Sequence, residues 1–177
     1  YIDSDFKRDV EMNTQLNELN ADQEQMKAWR HHLHRHPEVA FGEHDTANYI
    51  AGLLRSWGFD VSEGIGQTGV VASLRVGDGK RAIGLRSDID ALAIQELNES
   101  DHKSTVDGKS HSCGHDGHSA MLLGAAQYLA RTRAFNGTVH LIFQPAEEVM
   151  GGAPAMIKDG LFERFPMDAI FGMHNMP

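Results

Sequence analysis

Residues 111–118 read His111-Ser-Cys-Gly-His-Asp-Gly-His118 and run directly into Ser119-Ala-Met-Leu-Leu-Gly-Ala-Ala126. The first half packs three histidines, an aspartate and the chain's single cysteine into eight positions. Thiolate, imidazole and carboxylate are the side chains that bind borderline-soft metals, so the stretch predicts part of a metal site. A lone cysteine by itself reads as a buried, inert thiol. The flanking histidines tip the reading toward metal. The second half carries Ala120, Met121, Leu122, Leu123, Ala125, Ala126 and Leu129 on nearly every face. This predicts a helix from about Asp116 to Arg131 that lies inside a domain.

Upstream, Asp22 is placed to cap a helix that buries Met26, Trp29 and Leu33 and stops before Pro37. A second amphipathic helix spans Thr46–Trp57, with Gly58 ending it and a short strand near Phe59–Val61 following. Gly64, Gly66 and Gly69 make a flexible turn, but no Gly-rich loop joins a strand to a helix there, which excludes nucleotide binding. Val70–Val76 and Ala82–Leu85 read as strands joined in a hairpin by Gly77-Asp78-Gly79. The second is nearly all apolar, as in a strand covered on both faces. Residues 96–112 are polar and predict a loop. Downstream come a strand Thr138–Phe143, a helix through Met156 and Ile157 ended by Gly160, and a strand Asp168–Met173.

Strands alternating with helices predict an α/β fold: a three-layer, mixed and mainly parallel sheet with helices on both faces. In such sheets functional groups gather beyond the carboxyl ends of the strands. Asp88, Glu147 with Glu148, and His174 each follow a predicted strand, and the 111–118 cluster opens the buried helix.

The 177 residues suit one domain with a sizeable core, spanning 21–177 behind a polar arm at 1–20. A formal charge of −9 and scattered lysines and arginines speak against nucleic acid or an anionic membrane as partner. One cysteine cannot form an internal disulfide and fits a reducing compartment. No stretch reaches the roughly 18 apolar residues of a membrane span. The first residues lack both a methionine and the apolar core of a signal peptide, so a removed or replaced start and a cytoplasmic location are expected.

Cys113 and His115 sit just before or at a helix start, where the dipole helps keep a thiolate ionised. With Glu148 and His174 they form a mixed S, N, O set that suits zinc, manganese or nickel. A four-ligand structural site stays open as an alternative. Glu147 favours catalysis, because adjacent glutamates can divide metal binding from general-base work. Their bland role is a pair of carboxylates at a helix entrance. Asp88 and Asp90 are placed to orient a ligand histidine or Arg86, or merely to form a turn. Asp116 and His118 are expected to support the ligands or face substrate. His111 has a weaker claim, and His102 and His140 read as core or surface residues. His31, His32, His34 and His36 crowd one helix end and read as structural.

Three motifs in this order, Cys113-Gly-His-Asp-Gly-His118, Gln144-Pro-Ala-Glu-Glu148 and Gly172-Met-His-Asn175, resemble the metal-dependent amidohydrolases of the aminoacylase/carboxypeptidase superfamily. The similarity is greatest to the branch of hippurate hydrolases and hydrolases of indole-acetyl-amino-acid conjugates. It runs from about Trp29 to Pro177 and takes in Leu33-His-Arg-His-Pro-Glu38 and Arg86-Ser-Asp-Ile-Asp-Ala-Leu92. Ala93 stands where the family pattern has proline, which touches only the local turn.

The resemblance implies a di-metal exopeptidase-like catalytic domain, incomplete here, holding two divalent metal ions (manganese, zinc or nickel). Cys113, His115, Glu148 and His174 match the family's ligands and Glu147 its general base; Asp88 belongs to the motif that replaces the family's first His-x-Asp. The implied reaction is amide hydrolysis of a small-molecule N-acyl or N-aroyl amino acid such as hippurate, with Glu147 moving the proton from a metal-activated water to the leaving amine. Family members continue past His174 through a lid domain that mediates dimerisation, then a return that supplies a further histidine ligand. The resemblance therefore implies a homodimer for a full-length parent and an inactive or metal-poor state for these 177 residues alone. A non-catalytic metal-binding module and a dipeptidase or carboxypeptidase of the same superfamily remain as alternatives.

Overall fold

The computed structural model describes residues 22–175, so the polar arm expected at 1–20 lies outside the described residues. Helix α1 spans Gln23–Arg35 and buries Trp29 and Leu33. Asp22 makes no side-chain cap; its carboxylate instead accepts from Arg131 Nη1 at 2.9 Å, because the long arginine reaches it first. At the other end the His36 ring N–H donates to the His32 carbonyl at 2.7 Å, the capping use expected of this histidine-rich end. Helix α2 spans His44–Ser56 and buries Ile50, Ala51 and Leu54 completely. Its first free amides, Asp45 N–H and Thr46 N–H, donate to the two oxygens of Glu38 at 3.2 and 2.8 Å.

Strands β1 (Asp60–Ile65) and β2 (Gly69–Val76) form an antiparallel hairpin through a turn in which Gly64, Gly66 and Gln67 adopt positive φ. Strand β3 (Ala82–Asp88) follows, then helix α3 (His115–Thr132), strand β4 (Gly137–Gln144), short helices α4 (Gly152–Lys158) and α5 (Leu161–Arg164), and strand β5 (Ala169–Gly172). The sheet order is β1-β2-β4-β3-β5. β4 is antiparallel to β2 and parallel to β3, and β3 is parallel to β5.

The hairpin expected between β2 and β3 does not form: β4 lies between them. The 77–81 connection wraps around the beginning of β4 instead. Gly79 N–H donates to Asn136 Oδ1 at 2.7 Å, and Thr138 N–H donates to Arg81 O at 3.0 Å. A Cβ on Gly79 would meet the Asn136 carbonyl oxygen at 2.5 Å, so the crossing needs glycine there.

Pleating sorts the core into two layers. Val70, Ala72 and Leu74 of β2 and Val139, Leu141 and Phe143 of β4 face α1, α2 and α3. Val71 and Ile142 face the other way, against Met156, Leu161 and Phe165 on the α4–α5 side. Three layers result. β3 is not covered on both faces as its composition suggested; Ile83 is 37% exposed, and on β5 Ile170 and Phe171 reach 45% and 58%. These residues flank the β5 edge, where no further strand lies among the described residues. No described helix is long and apolar enough to cross a membrane.

Phe143 is fully buried near the carboxyl end of the central strand. Phe143→Ala is therefore expected to lower stability by about 3–5 kcal/mol, read as a lower midpoint in urea unfolding.

Candidate metal centre

Because β4, β3 and β5 are mutually parallel, their carboxyl ends share one edge of the sheet. Asp88 is the last residue of β3, Glu147 and Glu148 occupy the turn after β4, and His174 lies two residues past β5. Helix α3 is brought to the same edge by its apolar side, which packs Leu122 and Leu123 into the main core. Ser119 Oγ also donates to the Asp88 carbonyl at 2.9 Å. Gly114, in the left-handed region at φ +86°, turns the chain between Cys113 and the helix. A Cβ there would meet Asn175 Oδ1 at 2.8 Å.

The side chains form two groups whose ligand-type atoms lie within 4.8 Å of one another: Cys113, His115 and Glu148, and Asp88, His115, His118 and His174. His115 belongs to both. Its Nδ1–H donates to the Asp90 carbonyl at 2.9 Å and lies 3.2 Å from Asp90 Oδ1, which leaves the lone pair on Nε2. That Nε2 sits 3.6 Å from Glu148 Oε1, 3.7 Å from Asp88 Oδ2 and 3.8 Å from Glu147 Oε2. Among the described residues neither His115 Nε2 nor Glu148 Oε1 has a hydrogen-bond partner, although both atoms are buried. Buried polar atoms seldom go unpartnered, and two facing one space are what a cation would satisfy. Cys113 Sγ lies 3.5 Å from His174 Nε2 and links the two groups.

The electrostatics agree. Burial opposes a charge on His115, yet Asp90, Asp88 and Glu148 together raise its pKa above the usual value. Burial and the Glu148 carboxylate push the Cys113 thiol up to about 11, with Glu147 and Asp88 adding to the effect. The helix dipole was expected to keep this thiolate ionised; burial and the surrounding carboxylates act against it. Asp90 moves the other way: burial would raise it, but hydrogen bonds from His115 and from the Glu148 and Glu147 amides hold it low. The centre is anionic. A divalent cation would take the place of the protons now favoured on Cys113 and His115.

The remaining predicted residues divide cleanly. Asp90 does orient His115, and its second oxygen accepts from Glu148 N–H at 3.0 Å. Asp88 accepts from Arg86 Nη1 at 2.8 Å and from His118 Nδ1 at 2.6 Å, so both Asp88 and His118 stand among the candidate ligands. Asp116 turns away toward α1, accepting from His34 Nδ1 at 2.8 Å and Arg30 Nε at 3.1 Å. His34 also reaches Glu96, so it is structural as expected. His111 is buried with its pKa lowered to about 4, chiefly by desolvation. His102 stacks on His31 and His140 bonds Ser73, both away from the centre. An apolar cleft lined by Leu85, Met121, Ala125, Phe171 and Met173 touches His118 but none of Cys113, His115, Glu147 or Glu148.

Sequence reasoning passed over Glu43. It is fully buried, and its oxygens accept from Thr68 Oγ at 2.6 Å and Ala146 N–H at 2.9 Å, directly before the two glutamates. A glutamate just ahead of a helix reads as an ordinary dipole-favoured residue, so only its burial gives it away.

Comparison with known proteins places these residues in context. The chain is 52% identical over 148 residues to the hippurate hydrolase of Campylobacter jejuni, covering 84% of this chain and 38% of that protein. It is 42% identical over 146 residues to IAA-amino acid hydrolase ILR1-like 4 of Arabidopsis thaliana, covering 82% and 32%. It is 38% identical over 167 residues to thermostable carboxypeptidase 2 of Saccharolobus solfataricus, covering 90% and 42%. The chain thus spans less than half the length of these curated relatives. Among solved structures, the YXEP protein of Bacillus subtilis, described as a dinuclear metal binding peptidase, superposes with a TM-score of 0.84 at 39% identity. That match covers 89% of this chain and 44% of the other. The family model of peptidases M20/M25/M40 matches residues 84–177, more than half of the chain, beginning within β3. The chain belongs to the peptidase family M20/M25/M40.

Proposed function

We propose that the protein is a metal-dependent amidohydrolase acting on N-acyl or N-aroyl amino acids of the hippurate type. Cys113, His115, Glu148 and His174 hold divalent metal, and Glu147 is the general base. The observation that carries this reading is the unpartnered pair His115 Nε2 and Glu148 Oε1, 3.6 Å apart beside Cys113. A mixed thiolate, imidazole and carboxylate set suits zinc, manganese or nickel. Metal bound there supplies Lewis acidity and eases the deprotonation of water.

The protein's own groups do the rest. Asp90 fixes the His115 tautomer so that Nε2 is the ligand atom, and it holds the Glu148 backbone with the same carboxylate. Arg86 neutralises part of the Asp88 charge and is itself steadied by Gln144 Oε1 at 2.9 Å. Glu147 is 37% exposed in its side chain and lies 3.8 Å from His115 Nε2. It is thus close enough to the centre to take a proton and open enough to pass it to a departing amine. The identity to hippurate and IAA-amino acid hydrolases supports the acyl-amino-acid substrate. The thermostable carboxypeptidase relative supports a second reading, cleavage of a terminal peptide bond by the same centre.

Metal binding is tested on the 177-residue chain. Cys113→Ser and Glu148→Ala are each expected to weaken zinc or manganese binding by more than the roughly 10–100-fold typical of losing a residue that merely supports a ligand. Calorimetric titration measures this, and affinities equal to the unchanged protein would remove both assignments. Turnover is measured in a fusion that adds the remainder of the Campylobacter jejuni hippurate hydrolase, assayed on hippurate, indole-acetyl amino acids and dipeptides. Glu147→Gln is expected to lower kcat about 10²–10⁴-fold while metal content stays the same. Unchanged kcat would exclude Glu147 as the base, and preference for dipeptides would favour the peptidase reading.

A further inference from the structure

The turn that carries Glu147 and Glu148 is tightly constrained.

 Ala146 and Met150 both hold left-handed backbone, at φ +48° and +53°, a region that side-chain-bearing residues seldom enter. The Ala146 carbonyl accepts from both Gly151 N–H and Gly152 N–H, at 3.2 and 3.1 Å, which closes the turn into a ring. A Cβ on Gly152 would stand 1.5 Å from the Pro145 oxygen, so the ring has no slack on that side.

Two carboxylates from distant segments grip this ring by its amides. Asp90 takes the Glu148 N–H. Glu43 takes the Ala146 N–H from the other side, while its second oxygen is fixed by the Thr68 hydroxyl. The amides on either side of Glu147, 146 and 148, therefore both end on carboxylates. An ionised carboxylate is an acceptor only, and here its donors are one hydroxyl and one amide rather than a cation. Hydrogen bonds to a charged acceptor are stronger than neutral ones, and complete burial of Glu43 keeps water from competing.

We propose that Glu43 is a positioning residue for the metal centre: by anchoring the Ala146 amide it sets the direction in which Glu147 and Glu148 leave the turn. Glu43 touches neither substrate nor metal and acts only through that backbone. The inference rests on the metal-hydrolase reading, in which Glu148 is a ligand and Glu147 the base.

The test uses cobalt(II), whose thiolate absorption reports on Cys113, together with amide hydrogen exchange at Ala146 in the metal-free protein. Glu43→Met removes both acceptors while keeping similar bulk. It is expected to weaken cobalt binding about 10–100-fold and to speed exchange at Ala146. Glu43→Gln keeps one oxygen for the amide and is expected to restore both readouts toward the unchanged protein. Leu54→Ala, a core change in α2 remote from the turn, controls for general destabilisation and is expected to leave cobalt affinity intact. Cobalt affinity and Ala146 exchange both unaltered in Glu43→Met would overturn the proposal, as would an equal affinity loss in Leu54→Ala. Should Glu43→Met not fold, Thr68→Val frees the second oxygen and is expected to act in the same direction; no change there overturns the proposal equally. Failure of the unchanged protein to bind cobalt would defeat the metal reading instead, and Ala146 exchange would still decide whether Glu43 holds the turn.

Discussion

The Asp90 carboxylate joins three chain segments that are far apart in sequence. It follows β3, it meets His115 at the start of α3, and it accepts the Glu148 amide in the turn after β4. Without it the imidazole would be free to turn and the Glu148 backbone would lose a buried partner. Both outcomes are costly, because a buried donor without an acceptor forfeits its desolvation energy. Everything gathered at the carboxyl edge of the sheet depends on that one side chain lying where three elements meet.

The concentration of acid around His115 has a physical logic of its own. Asp88, Asp90, Glu147 and Glu148 surround one ring, and Arg86 offsets only part of their charge. Burying like charges together is unfavourable unless a cation joins them. Protons fill that role incompletely: the carboxylates shift the histidine toward its protonated form against burial, and burial with the carboxylates does the same for the thiol.

Much of this was legible in the sequence, for identifiable reasons. Cysteine, histidine and paired glutamates are chemically particular, and each lay at a strand end or a helix start, where local periodicity points. The strand order was not legible. Whether β2 pairs with β3 or admits β4 between them rests on long-range pairing, accompanied here by the Asn136–Gly79 contact between residues 57 apart, which no local pattern records. The near-continuous apolar run of β3 suggested two covered faces, but composition cannot say how many strands lie beyond it. Glu43 escaped for the same reason as the strand order: its partner amide is 103 residues away, and a single glutamate before a helix looks like any other. The Cys113 acidity was misjudged because the helix start was visible in sequence and the encircling carboxylates were not.

The place of β4 in the sheet also bears on how the chain comes together in time. The strand at the centre, between β2 and β3, is the fourth to be synthesised. β2 and β3 are complete by residue 88 but have no shared partner until residues 137–144 leave the ribosome. The β1–β2 hairpin and helices α1, α2 and α3 can form locally before then, whereas the sheet itself waits. Its closing contacts span long stretches of chain, which ranks this assembly among the slower topologies. The candidate metal centre, built on β3, β4 and β5 together, consequently cannot assemble until the strands from β3 to β5 are all available.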